Sequence, residues 1–112
     1  MLIESGIKED SSIGFNRHIG FRAGTGFPFL LYDFTTEKST ELLEKPLAFM
    51  DSSCWHESKK NKEKFESLFT EFFQNNGFNT HIVTNFHNSF FNEALYNGID
   101  FKSMYLNFVD SL

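Results

Sequence analysis

Three things are scarce in this chain of 112 residues, and each scarcity excludes a class of protein. There is one cysteine, Cys54, so no internal disulfide can form and no multi-thiolate zinc site can be built. Basic side chains are outnumbered, 10 Lys+Arg against 15 Asp+Glu, giving a formal charge of -5. That balance argues against a nucleic-acid binder, because phosphate contacts need a surplus of Lys and Arg on one face. Long apolar runs are missing as well: no stretch of about 18 apolar residues exists, so no helix spans a bilayer. Met1-Leu2-Ile3-Glu4 has neither the basic start nor the apolar stretch of a secretory signal, and the expected location is cytoplasmic. At this length the chain is expected to form one domain, residues 1–112.

What is abundant is phenylalanine, which supplies 16 of the 20 aromatic residues. Each buried Phe contributes about 2–3 kcal/mol, and a chain this short needs bulky side chains to fill a core. The excess therefore predicts a fold built on aromatic packing before it predicts any ligand.

The spacing predicts a helix from about Lys59 to Asn75. Phe65, Leu68, Phe69, Phe72 and Phe73 fall at i, i+3, i+4, i+7 and i+8, on one stripe. Ser58 is expected to cap its start and Gly77 to end it. A second helix is expected from about Phe101 to Leu112, with Phe101, Met104, Tyr105, Phe108, Val109 and Leu112 on its stripe. Two strands offer these helices a surface: Leu42 to Met50, interrupted by Pro46, and Thr80 to Phe86. Strand, helix, strand, helix implies parallel strands joined by a right-handed crossover. Residues 41–112 are thus expected to be a βαβα unit. Residues 1–40 hold Gly6, Gly14, Gly20, Gly24 and Gly26 among aromatics, which predicts a shaped loop or short strands joined by turns. Two or three parallel strands neither cover both faces of a sheet nor close a barrel. An open edge of this kind predicts either self-association or a chain that is part of something larger.

Parallel α/β architectures place chemistry at the carboxyl ends of their strands. Asp51 ends the first expected strand and His87 the second. On neighbouring strands the two would lie about 5–10 Å apart, able to share a proton, fix an imidazole tautomer or ligate a metal. The alternative is structural: Asp51 capping the segment after it, His87 satisfying a loop carbonyl. His18, His56 and His81 form no metal-ligand spacing, and neither a His-x-x-x-His motif nor a carboxylate-rich triplet occurs. Gly20-Phe21-Arg22-Ala23-Gly24-Thr25-Gly26 lacks the strand-before, helix-after setting of a phosphate loop. Arg22 is expected to bridge an acid such as Asp10 or Asp33, or else to bind an anionic group.

The order of short blocks resembles a known family. Ser5-Gly6-Ile7-Lys8-Glu9-Asp10-Ser11-Ser12-Ile13-Gly14-Phe15 looks like the Gly and Asp-Ser-Ser segment of bacterial polysaccharide deacetylase-like proteins of the NodB-homology type (carbohydrate esterase family 4). Gly20-Phe21-Arg22-Ala23-Gly24-Thr25, with Pro28-Phe29 and Leu31-Tyr32-Asp33, is similar to a subgroup of that family. Leu42-Leu43-Glu44-Lys45-Pro46-Leu47-Ala48-Phe49-Met50-Asp51 resembles its Leu-Leu-Glu-x-Pro strand, and His81-Ile82-Val83-Thr84-Asn85-Phe86-His87-Asn88 the strand ending in its late histidine. The resemblance implies a distorted (β/α) barrel that removes N-acetyl groups from sugar polymers. It also implies a divalent, zinc-like metal held by one Asp and two His, an Asp base and a late His acid.

Only the last of these roles has a position here, His87. The Asp-Asp motif, the His-x-x-x-His motif and the arginine motif have no counterpart in the chain, unless Arg22 takes the place of the last. The expectation is therefore α/β: part of a deacetylase-type (β/α) barrel with parallel strands, amphipathic helices and a Gly-rich N-terminal loop region. His87, Asp51 and Arg22 would line the cleft of a larger parent whose partner is an acetylated glycan. The chain itself would hold no cofactor and be inactive alone, pairing with the missing barrel half or with itself. A non-catalytic α/β interaction or oligomerisation module is the alternative.

Overall fold

The computed structural model describes residues 2–76 and 80–112. Among these residues, strands and helices follow in the order β1 (Glu9–Asp10), β2 (Phe29–Asp33), β3 (Lys38–Glu44), β4 (Leu47–Met50), α1 (Asp51–Glu57), α2 (Lys62–Asn76), β5 (Val83–Asn85) and α3 (Phe101–Asp110). Two short 3-10 turns, Asn88–Phe91 and Glu93–Leu95, stand between β5 and α3.

Among the described residues the strands form two open sheets, and no barrel closes. One sheet has the order β1-β3-β2; the other is β4 beside β5. This corrects the expected (β/α) barrel and the expected run of parallel strands. β1 pairs β3 and β4 pairs β5 in parallel, but β2 and β3 are antiparallel. The reason is local. Residues 34–37 make a tight turn between β2 and β3, closed by the Asp33 carboxylate, which accepts the Thr35 amide and the Thr36 hydroxyl, both at 2.8 Å. Those hydrogen bonds hold the Asp33 carboxyl below its ordinary pKa. A turn of this length returns the chain antiparallel, whereas a parallel partner needs a long crossover. Phe29–Asp33 thus realises, in the Gly-rich region, the alternative of short strands joined by turns.

The expected strand Leu42–Met50 is also divided. Pro46 has no amide hydrogen to give to a ladder, and the chain leaves one sheet at Glu44 and enters the other at Leu47. The second expected strand shortens to Val83–Asn85.

The long helix forms where its stripe predicts. Its cap is not Ser58, however: the Asn61 carboxamide accepts the Lys64 amide at 2.8 Å. Ser58 ends α1 instead, its hydroxyl donating to the Trp55 carbonyl at 2.7 Å. Lys59 and Lys60, both with left-handed backbone (φ 55° and 60°), break α1 from α2. Gly77, the expected stop of α2, lies outside the described residues. α3 starts where the Asp100 carboxylate accepts the Ser103 amide at 3.0 Å.

All three helices serve the β4–β5 sheet. Phe49 on β4, fully buried, meets the rings of Phe69, Phe72 and Phe73 from α2 and Phe86 after β5, at centroid distances of 5.0 to 5.8 Å. Phe65, Phe90, Ile99 and Phe101 complete the core. The core cluster contains no residue of β1, β2 or β3, so the three-stranded sheet projects beyond it.

Candidate functional site

The parallel β4–β5 pair brings two polar residues to its carboxyl end. Met50 pairs with Asn85 in the register, so the chains diverge there, one into Asp51 and α1, the other through Phe86 into His87. The Asp51 side chain is fully buried. Its Oδ1 lies 2.5 Å from His87 Nδ1, and its Oδ2 accepts the His87 backbone amide at 2.5 Å. Oδ1 also accepts the Ser52 amide at 2.6 Å. One carboxylate thus fixes both the position and the ring orientation of His87.

The imidazole is 43% exposed, with Nδ1 turned to the carboxylate. Among the described residues nothing is hydrogen-bonded to Nε2. A carboxylate on Nδ1 holds the proton there, which leaves Nε2 to accept or deliver a proton at the surface. Burial pushes the Asp51 pKa above its ordinary value, and the hydrogen bonds from His87 draw it back. This geometry is an oriented acid–base group of the kind that serves proton transfer, with Asp51 as its positioning partner. Asp51 is the first residue of α1, whose N-cap position is Met50 with no side-chain cap bond, so the capping role expected as the alternative does not form and the carboxylate is spent on His87 and the Ser52 amide.

Arg22 stands elsewhere. Its Nη1 donates to the Gly14 carbonyl at 3.0 Å, and Gly14 packs against Leu47, where β4 begins. Asp51 follows the far end of that strand, about 13 Å from Leu47 at ordinary strand rise. Neither of the acids expected to bridge Arg22 does so among the described residues: Asp10 accepts the Ser12 hydroxyl, and Asp33 closes its own turn.

The other histidines are dispersed, with His18 Nδ1 4.0 Å from Glu57 and His56 and His81 exposed. Cys54 is buried on the inner face of α1, its thiol pushed up to about 12 by burial and by the charges of Glu57 and Asp51. Such a thiol is not a nucleophile at neutral pH. Among the described residues no group of three or more His, Cys, Asp or Glu is placed to hold a metal ion. The donor set does not fit the divalent metal that the resemblance implies, because Asp51 and His87 are committed to each other through Nδ1 and both carboxylate oxygens. No helix among the described residues is long and apolar enough to cross a membrane.

One buried acid escaped the sequence reading. Glu44 is fully buried on β3, with no hydrogen-bond partner for Oε2. Its signal was strand alternation: Leu42 and Glu44 share a face, and Leu42 is buried.

Compared with protein-family models, curated proteins and solved structures, the chain matches none of them.

Proposed function

We propose that this chain carries the proton-transfer half of a hydrolytic site acting on acetylated glycans, in a polysaccharide deacetylase-like protein. The observation that supports it is the Asp51–His87 pair, a buried carboxylate 2.5 Å from the Nδ1 of a half-exposed imidazole. In amide hydrolysis the departing amine must gain a proton, and an imidazole held by a carboxylate can deliver it from Nε2. The negative charge of Asp51 stabilises the imidazolium until that transfer. What the pair does not provide is a group that activates water, so the chain alone is expected to be inactive. The motif order adds support, since the late histidine of the resemblance falls on His87.

Two measurements test this. Titration with chitooligosaccharide, followed by NMR, is expected to shift the His87 ring nitrogens and the neighbouring Asn88 amide; a titration that leaves both unmoved overturns the reading. Acetyl release by the chain alone is expected at background, and turnover lost in His87→Ala would show that the site is complete rather than half of one.

A second reading, an interaction or oligomerisation module, is favoured by the outer edge of the three-stranded sheet. β2 is an edge strand, and Leu30, Tyr32 and Phe34 on it and its turn are 51%, 50% and 86% exposed. No Lys or Arg lies between Arg22 and Lys38 to protect that edge. Light scattering on the purified chain decides it: a dimer that dissociates in Tyr32→Lys supports the module, and a monomer at millimolar concentration removes it.

A further inference from the structure

β3 passes into β4 through Lys45 and the fully buried Pro46, so this joint links the projecting sheet to the half that carries His87. A second stretch of chain crosses the joint alongside it. The Leu43 amide donates to the Lys8 carbonyl at 2.9 Å, Lys45 to Asp10 at 2.8 Å and Leu47 to Ile13 at 3.1 Å. Parallel pairing therefore continues from β1 and β3 across the joint.

Inside it sits Glu44. Oε1 accepts the Ile13 amide at 3.0 Å, and Oε2 has no partner. Directly opposite on β1 is Asp10, its carboxyl within hydrogen-bonding reach of Glu44. Asp10 Oδ2 also accepts the Ser12 hydroxyl at 2.6 Å. The nearby cations are engaged elsewhere: Lys45 with Glu9 at 2.5 Å, Lys8 with Glu41 at 3.0 Å, and Arg22 with the Gly14 carbonyl. Asp10 is thus the titratable group that faces Glu44, with the Ile13 amide as the other polar neighbour.

A buried carboxylate oxygen without a partner costs free energy until something satisfies it. Two carboxyls fall short of a cation site, and no third acid or histidine joins them among the described residues. A proton meets the need with no further ligand: a neutral Glu44 donates to Asp10, and both groups are satisfied.

We propose that a proton held by Glu44 and donated to Asp10 latches the joint between the two sheets, and that losing the proton opens the joint. Without it, a fully buried Glu44 carboxylate faces the partly buried Asp10 carboxylate, and parting residues 8–13 from 43–47 relieves the repulsion. That breaks the Glu44–Ile13 and Leu47–Ile13 bonds and frees the projecting sheet to swing against the His87 half. Burial first, and the Asp10 charge after it, raise the Glu44 pKa, with the Ile13 amide opposing. A raised folded-state value means the latch is fully closed below the ordinary Glu pKa and is lost as pH rises through the raised one.

Amide hydrogen exchange of the intact chain at a series of pH values tests the latch, with rates corrected for intrinsic base catalysis. Protection of the Ile13, Lys45 and Leu47 amides is expected to fall by up to about tenfold per pH unit between those two values. Glu44→Gln, which keeps the shape and cannot ionise, is expected to give a flat profile. A flat wild-type profile, or the wild-type slope persisting in Glu44→Gln, overturns the proposal. Should the variant fail to fold, the carboxyl carbon of wild-type Glu44 is followed by NMR, and titration at or below the ordinary Glu value overturns it equally. None of these readouts depends on the role of His87.

Discussion

A buried carboxylate needs donors, and the two fully buried acids among the described residues differ in how many they find: Glu44 has one, the Ile13 amide, and Asp51 has three. Asp51 meets the His87 ring, the His87 amide and the Ser52 amide. Asp51→Ala leaves two backbone amides without their acceptor and is expected to cost about 1–3 kcal/mol in urea denaturation. The same variant should lose the Nδ1-protonated tautomer of His87 in a nitrogen-15 spectrum; an unchanged spectrum would show that Asp51 does not orient the ring. Cys54 gives a second test at this scale. Its thiol, held up at about 12 against an ordinary 9.0, should resist alkylation in the folded chain at pH 8 and react on unfolding. Because folding raises this pKa, the stability tied to the neutral thiol is whole below pH 9. It should fall by up to about 1.4 kcal/mol per pH unit from there toward 12. Cys54→Ala should remove that part of the alkaline slope in pH-dependent denaturation. Asp51 and His87 were legible as strand-end polar residues, while Glu44 was not, since a charged side chain within a short strand reads as solvent-facing until its alternation with Leu42 is weighed.

The helices show which elements local pattern can determine. The stripe of α2 turns Phe65, Phe69 and Phe72 inward, and all three are buried. Phe69 touches Phe49, Phe65, Phe73, Phe101 and Phe108, drawing β4, α2 and α3 together. Phe69→Ala is expected to cost about 3–5 kcal/mol in chemical denaturation, enough to unfold a small domain. A near-neutral result would mean that this ring cluster does not hold the helices in place. The strands were less legible. β1 is two residues long and β5 three, too short for alternation to register, and each exists because a neighbour supplies the hydrogen bonds. α1 was missed for a related reason: Asp51–Glu57 carries polar and apolar side chains without a clean stripe, and tertiary packing over Cys54 makes up the difference.

At the scale of the whole molecule, the two sheets make an elongated shape of 49 × 28 × 22 Å, with a radius of gyration of 16.0 Å. A compact domain of this length would have about 13 Å. Small-angle scattering on the monomer should return the larger value. A value near 13 Å would mean that the projecting sheet folds back on the helices.

By itself, the sequence determined what depends on neighbours along the chain: the two amphipathic helices, the aromatic core and the Asp51 and His87 positions that follow strands. Periodicity encodes those, because side chains three, four or two residues apart share a face whatever lies beyond. Only the tertiary structure decided that the strands divide into two open sheets, that Arg22 serves Gly14 rather than the His87 site, and that Glu44 faces Asp10. Each of these depends on pairing between residues far apart in the chain, where register, the break at Pro46 and burial jointly choose the partner, and no local pattern records that choice.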